Sequence, residues 1–203
     1  MSARDAILSA IRAQRVNAAA RPAAYRVPSL GEDGVTFFIA QATRAAAEVR
    51  RLGNMREVPG AIAEALRNRN MKAVVHFPEA CGPLRDLPWD VAPGLLKAHG
   101  APGPDDAALS LAPYAIAETG TLAFTSRPDA PASWHFRSGL EIAIVRARDI
   151  VPDFETVIAR AKADGWPSTL NLVTGPSRTG DIEQTLELGA HGPKALAVLV
   201  VDG

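Results

Sequence analysis

The chain has 203 residues, 47% of them hydrophobic, and 22 Lys+Arg balance 22 Asp+Glu. A globular chain of this size buries roughly 70% of its unfolded surface and needs no covalent staple. The single cysteine, Cys81, excludes an intramolecular disulfide and a cysteine-ligated zinc or iron–sulfur site built by this chain alone, and zero formal charge gives no support for nucleic-acid binding.

The neutral total is uneven. Residues 1–72 carry 12 basic and 6 acidic side chains, and residues 73–203 carry 10 and 16. Such a split fits solvated helix faces, or a basic N-terminal part lying against an acidic body or partner. No apolar run approaches the ~20 residues of a membrane span. Asp5 and Arg12 interrupt the first helical pattern, which argues against a signal peptide. The expectation is a cytoplasmic protein with no membrane partner.

In chain order, Ser2 is placed to cap a short helix with Ile7, Leu8 and Ile11 on one face. Residues 14–35 lack periodicity and read as a flexible arm, so residues 1–35 form a unit apart from residues 36–203. Phe38, Ala42, Ala45, Val49 and Leu52 recur at helical spacing, predicting a helix over Phe37–Leu52 closed by Gly53. Met55–Val58 reads as a strand, Ala61–Arg69 as a helix, Lys72–Phe77 as a strand and Gly94–Ala98 as a short helix. Ala108–Leu111, Thr121–Thr125, Glu141–Arg146, Ser168–Thr174 and Leu196–Val201 read as strands. Asp153–Ala163 and residues 181–189 read as helices. Continuous Val/Ile/Leu runs alternating with helices predict an α/β fold, a mostly parallel central sheet with helices on both faces. Ligands in such folds sit at the carboxyl ends of the strands, which directs attention to the loops at Ala117–Thr121 and after Thr174.

The second loop runs Thr174-Gly175-Pro176-Ser177-Arg178-Thr179-Gly180-Asp181. Glycines for tight turns, two hydroxyls and a guanidinium fork are the parts of an anion cradle; the alternative is a turn in which Thr179 or Asp181 caps the next helix. In Ala117-Glu118-Thr119-Gly120-Thr121, Glu118 is either a nucleophile, base or ligand, or a buried carboxylate accepting backbone amides. Glu183, Glu187 and His191 are spaced by four, but Gly189 and Gly192 argue against one helix carrying all three to a metal, so no metal site is expected. His191 with Gly192-Pro193 instead suggests a turn at the ligand cleft, while Trp134, His135 and Arg137 share a loop able to close over an acidic ligand. Cys81 reads as a small buried residue.

Ala115-Ile116-Ala117-Glu118-Thr119-Gly120-Thr121-Leu122 and the segment from Thr174 to Leu186 resemble the two signature segments of the LUD-domain family, in its lactate-utilization branch. Leu188-Gly189-Ala190-His191-Gly192-Pro193 extends the second match. The resemblance covers most of the chain from about residue 36 and is densest over 108–201. It implies a NagB/RpiA/CoA transferase-like fold and a role in oxidising L-lactate to pyruvate beside iron–sulfur partner proteins. The clusters would belong to those partners, because this chain has one cysteine. Carried onto these segments, Glu118 is the candidate catalytic residue. The ligand-binding set is Thr119, Gly120, Thr121, Gly175, Ser177, Arg178, Thr179, Gly180, Asp181, Glu183 and His191, holding a small carboxylate or phosphate. Glu118 is expected to face the same cavity as Ser177 and Arg178, with His191 on the rim. Many relatives place Pro-x-x-His at the entrance to the strand at 141; here Ser138-Gly139-Leu140-Glu141 stands there, with His135 the available substitute. CoA transferases of the superfamily use a loop glutamate as nucleophile, and formyltetrahydrofolate cyclo-ligases bind nucleotide phosphates. The alternative by that analogy is a stand-alone enzyme using Glu118. The resemblance leaves a homo-oligomer open.

Overall fold

The two longest apolar runs lie side by side at the centre of the molecule. The computed structural model describes residues 2–13, 33–180, 186–189 and 191–203. Among these, the helices are α1 (Ala3–Ala13), α2 (Gly34–Arg44), α3 (Val58–Asn68), α4 (Gly82–Arg85) and α5 (Phe154–Ala163). The first six strands are β1 (Glu48–Leu52), β2 (Val74–His76), β3 (Leu96–Ala98), β4 (Ala107–Leu111), β5 (Tyr114–Ile116) and β6 (Thr121–Thr125). The others are β7 (Leu140–Arg146), β8 (Ile150–Val151), β9 (Leu170–Val173), β10 (Arg178–Gly180), β11 (Leu186–Leu188) and β12 (Ala195–Val201). No helix among the described residues is long and apolar enough to cross a membrane.

The central sheet has the order β1-β12-β7-β4-β2-β3, and every pairing in it is parallel. Both its faces are buried, which explains why β12 reads as an unbroken apolar run and β7 as one interrupted only by Glu141 before Arg146. On one face Leu109, Ile142, Ile144 and Leu199 pack with Ile62 and Leu66 of α3 and Leu84 of α4. On the other, Ala143, Val145, Val198 and Val200 pack with Phe38 and Ala42 of α2 and with Leu122 and Phe124 of β6. Helices therefore cover both faces as expected, but the second face also carries a four-stranded sheet, β8-β5-β6-β9. In that sheet β5–β6 and β6–β9 are antiparallel, so Thr121–Thr125 and Ser168–Thr174 are not strands of the central sheet.

Helix α5 closes the far side of the second sheet, burying Val157 and Ala161 against Tyr114, Ile116 and Ala123. The Tyr114 hydroxyl donates to the Asp164 carboxylate at the end of α5. Burial, then that carboxylate, pushes the Tyr114 phenol up to about 12. The raised folded-state value means the contact's contribution to stability is complete below the ordinary tyrosine range near pH 10 and lost as pH rises towards 12. A spectrophotometric alkaline titration will show the Tyr114 phenolate appearing near pH 12, and Asp164→Asn will bring it down towards 10.

Several local expectations are corrected. The helix predicted to reach Leu52 ends at Arg44, because Ala46 turns the chain with φ +67 and residues 48–52 then pair with β12. Met55–Glu57 is a 3-10 turn leading into α3, with the Asn54 side chain accepting the Arg56 amide at 2.9 Å. Leu96–Ala98, expected in a helix, is an edge strand paired with β2. Residues 186–188, also expected to be helical, pair antiparallel with β10, while 181–185 lie outside the described residues. Helix α1 forms as predicted, with Ser2 Oγ accepting the Asp5 amide, and none of its residues is buried. Of the arm proposed at 14–35, residues 14–32 lie outside the described residues, and Asp33 already caps α2 by accepting the Thr36 amide at 2.9 Å.

Candidate functional site

Both signature loops dock on the last turn of α2. In the β5–β6 loop, Gly120 has φ +67, and a Cβ there would stand 2.2 Å from the Ala42 nitrogen. After β9, Gly175 has φ +75, and its Cβ would stand 1.9 Å from the Ala45 carbonyl oxygen. Only glycine permits either approach. A chain of hydroxyls then links the loops, Thr119 to Thr121 at 2.6 Å and Thr121 to Thr174 at 2.7 Å. Thr119 and Thr174 are exposed and Thr121 is buried. Segments 53 residues apart are thus fixed as one unit.

Beyond Gly175 the chain meets the turn that precedes β12. Ser177 N donates to the Pro193 carbonyl at 2.9 Å, and the Ser177 hydroxyl accepts the His191 amide at 3.2 Å. Ser177, Arg178, His191 and Gly192 line a cavity of about 430 Å³, with His135 and Phe136 on the opposing wall. It lies at the carboxyl end of β9 but at the amino ends of β7 and β12, the edge of the central sheet opposite to the one expected. The wrong assignment of β9 to the central sheet caused that error.

The structure brings together Gly175, Ser177, Arg178 and His191 of the expected set. Thr119, Gly120 and Thr121 hold the loop in place from beside the cavity. Glu118 does not line it: this half-buried residue donates its amide to the Pro152 carbonyl at 3.1 Å, on the side of the loop towards α5. Among the described residues, Glu118 is not part of the cavity lined by Ser177 and Arg178. Thr179 and Gly180 belong to β10, paired with Glu187 and Leu186, while Asp181 and Glu183 lie outside the described residues. No group of three or more His, Cys, Asp or Glu is arranged to hold a metal among the described residues. Cys81 is buried at the start of α4, and burial pushes its thiol up.

The sequence reading missed Glu141. Its carboxylate is 1% exposed on β7, and Oε1 meets His135 Nδ1 at 2.6 Å while accepting the Ser110 hydroxyl at 2.8 Å. The His135 ring, 5% exposed, stacks on Phe124 at 4.0 Å. Glu141 Oε2 and the nearby Ser138 hydroxyl are buried with no protein partner among the described residues. A carboxylate in the otherwise apolar run Leu140–Val145 was the available signal, because a strand buried on both faces tolerates a charge only with a partner. His135 is also the loop histidine that the sequence offered in place of the relatives' strand-entry histidine.

Residues 105–201 match the family model described as the LUD domain. Lactate utilization protein C from Bacillus licheniformis is 35% identical over 122 residues, 56% of this chain and 49% of that protein. Its counterpart from Bacillus subtilis is 35% identical over 123 residues, 56% of this chain and 50% of that protein. The Geobacillus thermodenitrificans protein of the same name is 37% identical over 91 residues, 42% and 38% of the two chains. The chain thus spans about half or less of these curated relatives. A crystal structure of a DUF162 family protein from Deinococcus radiodurans superposes with a TM-score of 0.60 at 24% identity, covering 83% of this chain and 96% of that one, which shows the shared fold.

Proposed function

We propose that this chain, whose residues 105–201 match the LUD-domain model, serves in lactate utilization by holding a small carboxylate or phosphate in the cavity between the Thr174–Arg178 loop and the His191–Pro193 turn. One observation carries the reading: the beginning of the second signature segment and the end of its extension, Thr174–Arg178 and His191–Pro193, wall a single cavity that contains Arg178, Ser177 and His191. A guanidinium presents two parallel N–H donors to a carboxylate or phosphate. The carboxylate of L-lactate or pyruvate fits this chemistry. Oxidation of lactate to pyruvate releases two electrons and two protons, and the electrons would pass to iron–sulfur partner proteins.

Isothermal titration with L-lactate, pyruvate and inorganic phosphate tests the proposal. Arg178→Ala is expected to weaken the bound anion by about 1.5–3 kcal/mol, the worth of a hydrogen bond to a charged group. Equal affinity in wild type and Arg178→Ala contradicts the reading, as does the absence of binding by all three anions.

A further inference from the structure

A second and larger cavity opens at the opposite, carboxyl edge of the central sheet. Leu111 and Ala112 reach it from the end of β4, Arg146 from the end of β7, and Pro83 from the segment following β2. Strands β2 and β4 are neighbours, yet the chain leaves β2 for β3 on one side and leaves β4 for β7 on the other. That divergence is a topological switch point, where the two departing connections leave a crevice between them. The volume is about 850 Å³, towards the upper end of small-molecule sites.

Its lining carries three arginines, Arg127 of the loop after β6, Arg146 at the end of β7 and Arg160 of α5. Two carboxylates, Asp149 and Asp164, share the lining, and Asp164 is engaged by the Tyr114 hydroxyl. Arg127 is paired with Asp129 at 3.2 Å, whereas Arg146 and Arg160 form no salt bridge among the described residues. Asp129, Asp149 and Asp164 offset part of this charge, and an anion seated on Arg146 and Arg160 would supply these two with a partner. Trp166, 58% exposed, also lines the cavity and offers a flat apolar surface beside the hydroxyls of Ser126 and Ser168. This chemistry differs from that of the smaller cavity across the sheet: three guanidiniums in place of one, twice the volume and an exposed indole.

We propose that this cleft is a second ligand site, which takes a phosphorylated ligand of nucleotide size, with its phosphates on Arg127, Arg146 and Arg160 and its flat ring against Trp166. A lone lactate or phosphate would leave most of the volume and the indole unused. A phosphate chain attached to a planar ring uses the guanidiniums and the tryptophan together. The site is independent of the anion cavity around Arg178.

The test is titration of the full chain with ADP, ATP and inorganic pyrophosphate at low ionic strength, followed by heat and by tryptophan fluorescence. The expected result is one-to-one binding of ADP or ATP with quenching. Arg146→Gln/Arg160→Gln is expected to weaken it ~10-fold or more, from the worth of charge-assisted bonds, while Arg67→Gln on α3 leaves it unchanged. Trp166→Ala is expected to weaken nucleotides at least ~5-fold, the lower range for ring stacking, and pyrophosphate not at all. Thermal unfolding of each variant establishes that it is folded. Failure of all three probes to bind below about 1 mM overturns the site, as does unchanged affinity in the double arginine variant. Pyrophosphate binding as tightly as ADP, with Trp166→Ala silent, overturns the ring-bearing ligand.

Discussion

Replacing His135 with leucine is expected to destabilise the protein by about 3–5 kcal/mol, because it strands the Glu141 carboxylate in the core without its partner. Glu141 is 1% exposed, and its other neighbour, the Ser110 hydroxyl, supplies one hydrogen bond to the same oxygen. For a chain of this length the loss corresponds to a fall in melting temperature of about 6–20 °C. The double variant His135→Leu/Glu141→Leu is expected to regain most of it, since a well-packed apolar pair avoids the desolvation that both polar groups suffer. Urea unfolding of the two singles and the double makes a mutant cycle that reads the coupling directly. A small effect in His135→Leu would mean that the pair is not held as its 2.6 Å contact indicates.

Gly175→Ala is expected to cost about 2–5 kcal/mol and to abolish anion binding together with stability. The methyl would stand 1.9 Å from the Ala45 carbonyl oxygen, at a backbone φ of +75. Left-handed backbone costs a non-glycine residue about 1–2 kcal/mol, and moving packed neighbours adds about 1–3. Gly120→Ala meets the same helix, 2.2 Å from the Ala42 nitrogen at φ +67, and should behave similarly in unfolding. The two should part in binding. Gly120 supports the cavity only through the threonine chain, so its variant, where folded, is expected to retain more anion affinity than Gly175→Ala. Calorimetry combined with thermal melts distinguishes these outcomes.

The contrast between these residues shows what a sequence can display. Strands β7 and β12 were legible because burial on both faces leaves, Glu141 apart, apolar residues over Leu140–Val145 and Ala195–Val201. Helices α3 and α5 were legible as helices, and Asp153 caps α5 by accepting the Thr156 amide at 2.7 Å. Strands β1 and β3 were not. Glu48-Val49-Arg50-Arg51-Leu52 and Leu96-Lys97-Ala98 are edge strands whose exposed polar side chains carry no alternation, and their register is imposed by β12 and β2. Ala46 ends α2 in a conformation that sequence rules reserve for glycine or asparagine, so Gly53 attracted the helix end instead. Pairing direction leaves no mark in a strand's own pattern, and that hid the antiparallel sheet and put the ligand loops on the wrong edge. The residues of the anion cavity were recognisable as a motif. The position of Glu118 outside it follows from how its loop is held, with the Glu118 amide on the Pro152 carbonyl, a contact between segments 34 residues apart. Glu141 and Ser110 are 31 residues apart and share only a face of adjacent strands, a relation that appears once β4 and β7 are aligned.

The central claim is that the second signature loop, closed against the His191 turn, is where a small anion binds. A crystal structure of the protein soaked with pyruvate tests it most directly. The account predicts a carboxylate on the Arg178 guanidinium, inside the cavity that Ser177 and His191 line. Pyruvate bound beside Glu118 instead, or a vacant cavity in crystals whose protein binds pyruvate in solution, would contradict it.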